Sequence, residues 1–245
     1  MPILTYHHIG ELPPTEREHA GLWVSAENFA QQLAWLRAKG FVGLRVSELA
    51  RVLREGRKVP VRWVAITFDD GWRDNFTTAW PLLREFRFPA TIFVTTQKLR
   101  SGAVGDSPFE MMSADELTEL AAHGMEIGSH TRTHPKLTRL PDDAAREEIA
   151  GSREDLRQLL GVAPSSFAYP YGAHSARIER LVREAGYFAA VSTIRDNRVH
   201  PDQLFHMPRV MVMRTTSLRR FAYMFSFAYH AVHSWKNLSR WRDGR

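Results

Sequence analysis

Two adjacent carboxylates, Asp69 and Asp70, and two imidazoles four residues apart, His130 and His134, have types and spacing suited to chemistry. In a helical turn an i, i+4 histidine pair puts both rings on one face, a few ångströms apart, as a single metal ion requires. Pro135 disfavours helix at His134, so the pair is expected on a turn. Two imidazoles, the Asp70 carboxylate and one position left open make the donor set of a hydrolytic site, where an ion polarises a carbonyl and acidifies water. Asp69, adjacent but outside that set, is then available as a general base. Each motif alone has a plainer meaning. An Asp-Asp-Gly can end a strand and cap a helix, and eleven histidines make a chance i, i+4 pair common.

The elements that must position these residues favour the chemical reading. Six of the eight residues from Val61 to Phe68 are apolar, which predicts a buried strand delivering Asp69 and Asp70 at its end. Strands are also predicted over 2–6, 91–95, 125–129, 166–168, 188–193 and 208–213. Helices are predicted between them: from Ser25 to Gly40, from Ser47 to about Gly56, over 74–86, after the Ser113/Glu116 capping box to Gly124, over 141–160, and from Ser175 to about Gly186. A loop is expected over 100–109. The alternation predicts an α/β fold with a parallel sheet, and enough units are present for a barrel. His7, Asp69, Asp70, His130, His134, Tyr169 to Gly172 and Arg209 are all expected just past strand C-terminal ends, the address of active sites in α/β barrels.

Composition sets the outer bounds. The 245 residues contain no cysteine, which excludes disulfides, thiolate ligands and cysteine nucleophiles. The formal charge of +6 is carried by residues 214–245, where seven Arg or Lys face one acid, so residues 1–213 are formally neutral and no nucleic-acid partner is expected. No signal peptide or membrane-spanning run is visible, and the expectation is a cytoplasmic or inner-membrane-associated protein.

Thr67-Phe68-Asp69-Asp70-Gly71, then His130-x-x-x-His134, then Phe167-Ala168-Tyr169-Pro170-Tyr171-Gly172 resemble the polysaccharide deacetylases with a NodB homology domain, carbohydrate esterase family 4. The resemblance covers most of residues 2–213 and implies a distorted, incomplete (β/α) barrel. It implies a hydrolase that removes N-acetyl groups from N-acetylated amino sugars of a glycan. Asp70, His130 and His134 would hold a divalent metal, zinc first, with Ni2+, Co2+ or Fe2+ as alternatives. Asp69 would be the base, and the backbone N–H of Tyr171 would help stabilise the oxyanion. Rival readings are a deacylase of a lipid-linked amino sugar or other small amide, and an inert glycan-binding barrel that keeps the fold.

The chain departs from the family pattern in three places. Ala168 stands where an arginine usually orients the base, and Arg209 at a strand start is the expected replacement. The Asp–Trp motif expected after residue 172 is absent. The late Leu-x-His that supplies the general acid is represented only by Leu204-Phe205-His206. Ile3-Leu4-Thr5-Tyr6-His7-His8 is similar to the start of the circularly permuted poly-N-acetylglucosamine deacetylase branch, which makes His7 the expected acid, with His206 as the alternative and His8 pointing away. Tyr169, Tyr171 and Trp72 are the aromatic candidates for sugar contact.

The sequence is expected to divide into a catalytic domain over 1–213 and a basic, aromatic segment over 214–245, helical in its first half. Phe221, Phe225 and Ala228, extended by Tyr229, make a plausible buried stripe that would close the barrel. The alternative for this segment is peripheral contact with anionic lipid.

Overall fold

Each apolar run becomes a short parallel strand, and each amphipathic run a helix that crosses back over the sheet. The computed structural model describes residues 1–99 and 109–242, with side chains to 237, so the loop expected over 100–109 falls almost wholly outside them. In chain order the strands are β1 (Ile3–Tyr6), β2 (His8–Ile9), β3 (Trp23–Val24), β4 (Val42–Leu44), β5 (Trp63–Phe68), β6 (Thr91–Val94), β7 (Glu126–Ser129), β8 (Ser166–Ala168), β9 (Ala189–Val191) and β10 (Val210–Met211). The helices are α1 (Ala26–Ala38), α2 (Val46–Arg54), α3 (Trp80–Phe86), α4 (Ala114–Ala122), α5 (Asp142–Leu160), α6 (Ala176–Glu184), α7 (Leu218–Tyr223) and α8 (Phe227–Arg242).

The main sheet runs β10-β1-β5-β6-β7-β8-β9, with β4 beside the start of β5, and every pairing in it is parallel. Between β9 and β10 the only bridge among the described residues is Val191 to Met207, so the sheet curls into an incomplete (β/α) barrel. The register matters for the site. Tyr6 pairs with Phe68 and Val94 with Ser129, so His7, Asp69, Thr95 and His130 leave the sheet along one edge.

Side-chain alternation separates the two faces of the sheet. Val64, Ile66 and Phe68 join a large cluster with α1, α3 and α4, whereas Ala65 packs with Ile3, Phe93, Ala168, Val191 and the apolar face of α2. Asp69 therefore continues the face of Ala65 and Thr67, on the inner side of the curl.

Several boundaries differ from the sequence expectation. Helix α2 starts before Ser47, because Glu48 reaches back to the Arg45 N–H at 2.8 Å and closes the first turn there. The helix expected over 74–86 begins as a wider π-type turn, Asn75–Ala79, before α3. Arg209 directly precedes β10 and does not follow a strand end. The 214–245 segment is helical well past its first half, and Phe221, Met224 and Tyr229 join the same cluster as α1. Ala228 is exposed, and Met224 takes its place in the buried stripe. No helix among the described residues is long and apolar enough to cross a membrane.

Candidate active site

Asp69 and Arg209 form the buried floor of the site. The guanidinium donates Nη1–H to Asp69 Oδ1 at 2.7 Å and Nη2–H to Oδ2 at 2.6 Å, and also reaches Thr67 Oγ1 at 3.1 Å and the Ser192 carbonyl at 2.9 Å. The Arg209 and Asp69 side chains are 0% and 4% exposed, so the pair lies in a dry environment where both charges need each other. Burial pushes the Asp69 carboxyl up, but Arg209, His130 and His7 outweigh it and hold the acid well below its ordinary range. The carboxylate is therefore ionised and fixed in two-point geometry. Arg209, the expected replacement for the arginine absent at Ala168, thus bonds Asp69 from 41 positions further along the chain.

Next to that floor, Asp70, His130 and His134 converge. Asp70 Oδ1 lies 3.5 Å from His130 Nε2 and 3.4 Å from His134 Nε2. A tetrahedral ion with ligands at 2.0–2.1 Å has donor–donor edges of about 3.4 Å, so these separations suit one divalent ion. His130 donates Nδ1–H to the Ala168 carbonyl at 2.8 Å, a role assigned from that contact, which turns Nε2 towards Asp70. Burial pushes His134 down to about 4, with His130 adding to the effect and Asp70 opposing it. At neutral pH the set thus offers an anionic oxygen and a neutral imidazole at position 134, the forms a metal binds.

The backbone bends to make this possible. Of five non-glycine residues with positive φ among the described residues, four are at the site: Asp70 (75°), Thr131 (70°), His134 (68°) and Tyr171 (59°). Left-handed backbone at a non-glycine residue costs on the order of 1–3 kcal/mol. At Asp70 it turns the chain so that two consecutive carboxylates serve one site, which a continuing strand forbids. Gly71 follows at φ 93°, with its backbone so close to Val94 that a Cβ would lie 3.1 Å from Val94 Cγ1.

The other expected residues divide. His7 lies past β1, and its buried Nδ1 has no hydrogen-bond partner among the described residues, a polar atom left over for a reaction partner. Burial pushes its imidazole below the ordinary value, with Asp69 and Asp70 pulling the other way. Tyr171 is 66% exposed and its ring packs edge-on against His134 at 4.7 Å. Trp72 is half-buried and donates Nε1–H to Asp70 Oδ2 at 3.1 Å, which leaves Oδ1 to the two histidines. Tyr169 is placed differently from the expectation. It is fully buried, with its hydroxyl on the Phe205 carbonyl at 2.8 Å and its ring against Phe167, so no sugar can reach it. His8 is sandwiched between Trp23 and Trp72 and bonded to Asp74 at 2.6 Å. His206 lies 3.1 Å from Glu179, in a cluster apart from Asp70.

Sequence reasoning missed the residues that hold the His130–His134 turn. Glu148 of α5 accepts from the Arg132 and Thr133 amides and the Thr133 hydroxyl, and Asp155 takes the Arg132 guanidinium at 2.9 and 2.7 Å. In the sequence they are acids on the polar face of a long helix. Only the i, i+7 spacing of Glu148 and Asp155 on one face hinted at a shared partner.

The sequence profile of the family described as polysaccharide deacetylase matches residues 56–190. YxkH of Bacillus subtilis (strain 168) is 27% identical over 212 residues, covering 86% of this chain and 71% of that protein. The poly-beta-1,6-N-acetyl-D-glucosamine N-deacetylase of Escherichia coli (strain K12) is 28% identical over 229 residues, covering 78% of this chain but only 34% of that protein. Among solved structures, the Streptococcus pyogenes deacetylase PplD, in complex with acetate, matches with a TM-score of 0.84 at 25% identity, over 92% of this chain and 98% of the other.

Proposed function

The chain belongs to the polysaccharide deacetylase family, and from that premise we propose that it hydrolyses the acetamide of N-acetylated amino sugars within a glycan, releasing acetate and a free amine. The observation that carries the proposal is the convergence of Asp70, His130 and His134 beside an ionised Asp69 clamped by Arg209. The substrate named for the Escherichia coli relative makes β-linked N-acetylglucosamine oligomers the first to try.

A divalent ion held by Asp70, His130 and His134 would supply Lewis-acid polarisation of the amide carbonyl and lower the pKa of water. Zn2+ suits two imidazoles and a carboxylate, and Ni2+, Co2+ and Fe2+ share that donor preference. Asp69 accepts the proton of the attacking water, and Arg209 keeps its carboxylate ionised and aimed. As the acetamide carbon becomes tetrahedral, the Tyr171 amide N–H donates to the developing oxyanion. His7, as the imidazolium that Asp69 and Asp70 favour against burial, delivers its proton to the departing amine nitrogen, so that the C–N bond breaks with a neutral amine leaving; the proton that Asp69 took from water then restores it. Tyr171 stands against His134 and Trp72 against Asp70, with Tyr171 the more exposed ring for sugar contact.

Asp69→Asn tests this reading against an inert glycan binder. A hydrolase loses amine release by roughly 10²–10⁴-fold and still retains the oligomer, in line with the usual contribution of a general base. Unchanged behaviour in both assays would refute it.

The C-terminal helices add a proposed peripheral contact with anionic lipid, compatible with a lipid-linked substrate. Tyr223, Phe227, Val232 and Trp235 are exposed, as are Arg219 and Arg220. Deleting the segment would strip Phe221 and Tyr229 from the core, so Phe227→Ser with Trp235→Ser is the appropriate variant. Equal co-sedimentation of wild type and variant with phosphatidylglycerol vesicles would contradict this contact.

A further inference from the structure

We propose that His174, Glu179 and His206 form a second divalent-cation site of N/O donor chemistry, apart from Asp70, His130 and His134 and structural in role. His174 Nδ1 lies 2.9 Å and His206 Nδ1 3.1 Å from the same oxygen, Glu179 Oε1, and all three donor atoms are within 4.8 Å of one another. The two imidazole planes are parallel to within 4°, with centroids 5.4 Å apart. Two imidazoles and one carboxylate are a donor set that Zn2+ takes with water in its remaining position.

The three residues come from two stretches of chain, 174–179 and the segment before β10. His174 ends the turn that follows β8, Glu179 is in the first turn of α6, and His206 precedes β10. Their side chains are 16%, 16% and 15% exposed, shielded enough to be held and open enough for an ion to enter. Hydrogen bonding alone accounts for the contacts only by aiming both Nδ1–H groups at one carboxylate oxygen. An ion in place of those two protons satisfies all three donors together, each imidazole then carrying its single N–H on Nε2.

The placement gives the site a purpose. His174 is three residues after Tyr171, and its ring lies 5.3 Å from Tyr169. His206 is three residues before Arg209, which clamps Asp69. One ion therefore ties the turn carrying Tyr171 to the segment carrying Arg209, fixing two site residues from behind without touching substrate.

Metal content after equilibrium dialysis against Zn2+ tests the site, with the folded state checked by circular dichroism. The background is the Asp70→Asn/His130→Ala double variant, which disables the first cluster and keeps the two tests independent. This variant is expected to retain one Zn2+ per chain. Adding His206→Ala should remove it, and adding the near-isosteric Glu179→Gln should weaken binding by more than the roughly 10–100-fold typical of losing an outer-shell partner. A folded double variant without zinc would overturn the proposal. So would one whose zinc survives both His206→Ala and Glu179→Gln.

Discussion

Arg209→Met removes the guanidinium and leaves the Asp69 carboxylate, 4% exposed, without its two-point partner at 2.7 and 2.6 Å. Breaking a buried ion pair from one side costs about 3–5 kcal/mol, because the surviving charge stays desolvated. Burial, the largest influence on Asp69, then acts without its main opponent and drives the carboxyl upward. Two consequences separate cleanly. Urea denaturation followed by tryptophan fluorescence should show the loss of stability. Amine release should fall roughly 10²–10⁴-fold, the usual contribution of a general base. Arg209→Lys keeps the charge but not the fork, and should recover only part of each. The decisive comparison is a double-mutant cycle with Asp69→Asn. The neutral amide introduced by Asp69→Asn no longer needs a cation, so Arg209→Met should cost at least ~2 kcal/mol less in that background than in the wild type. Additivity within ~0.5 kcal/mol would refute the reasoning, since uncoupled sites behave that way.

Other consequences follow from neighbouring contacts. Trp72→Phe keeps the ring against His8 but loses the 3.1 Å bond to Asp70 Oδ2, so Zn2+ affinity in chelator competition should drop roughly 10–100-fold. Tyr169→Phe should lower stability by about 1 kcal/mol, through the lost bond to the Phe205 carbonyl, while KM for an oligomer is unchanged; a raised KM would mean the ring meets substrate after all. Burial pushes the Tyr187 hydroxyl up to about 12, from an ordinary 10.0. A group raised in the folded state stabilises below its unfolded pKa and loses that contribution as pH rises through the folded value. Tyr187 should therefore withdraw about 2–3 kcal/mol of stability between pH 10 and 12, and Tyr187→Phe should shrink the decline by about that much in urea titrations at each pH.

Much of this was readable in the sequence, for reasons that differ residue by residue. Asp69, Asp70, His130 and the segment around Tyr171 all follow apolar runs, and parallel pairing aligns the ends of those runs along one edge. Ala168 stands where the resemblance implies an arginine, and Arg209 is legible as the candidate replacement because it sits at a strand start. What stayed hidden depends on distant contacts or on backbone that composition does not mark. Nothing local shows that Asp70, His134 and Tyr171 adopt left-handed backbone, because each is held there by its surroundings. Tyr169 is two residues from an exposed tyrosine, and only the path of the 204–206 segment decides that it is core. The two-residue strands β2 and β3 are too short for any periodicity, yet they bring Trp23 onto His8. Glu148 and Asp155 looked like solvated helix surface until the turn they hold was in view.

The central claim is that this barrel hydrolyses an acetamide at the Asp70, His130 and His134 cluster. It is tested most directly by measuring Zn2+ binding and free-amine release from an N-acetylglucosamine oligomer on the wild type and on His130→Ala. Wild type is expected to bind zinc at this cluster and release amine, and the variant, still folded, to lose both. Amine release that survives in a His130→Ala protein without zinc at this cluster would contradict it.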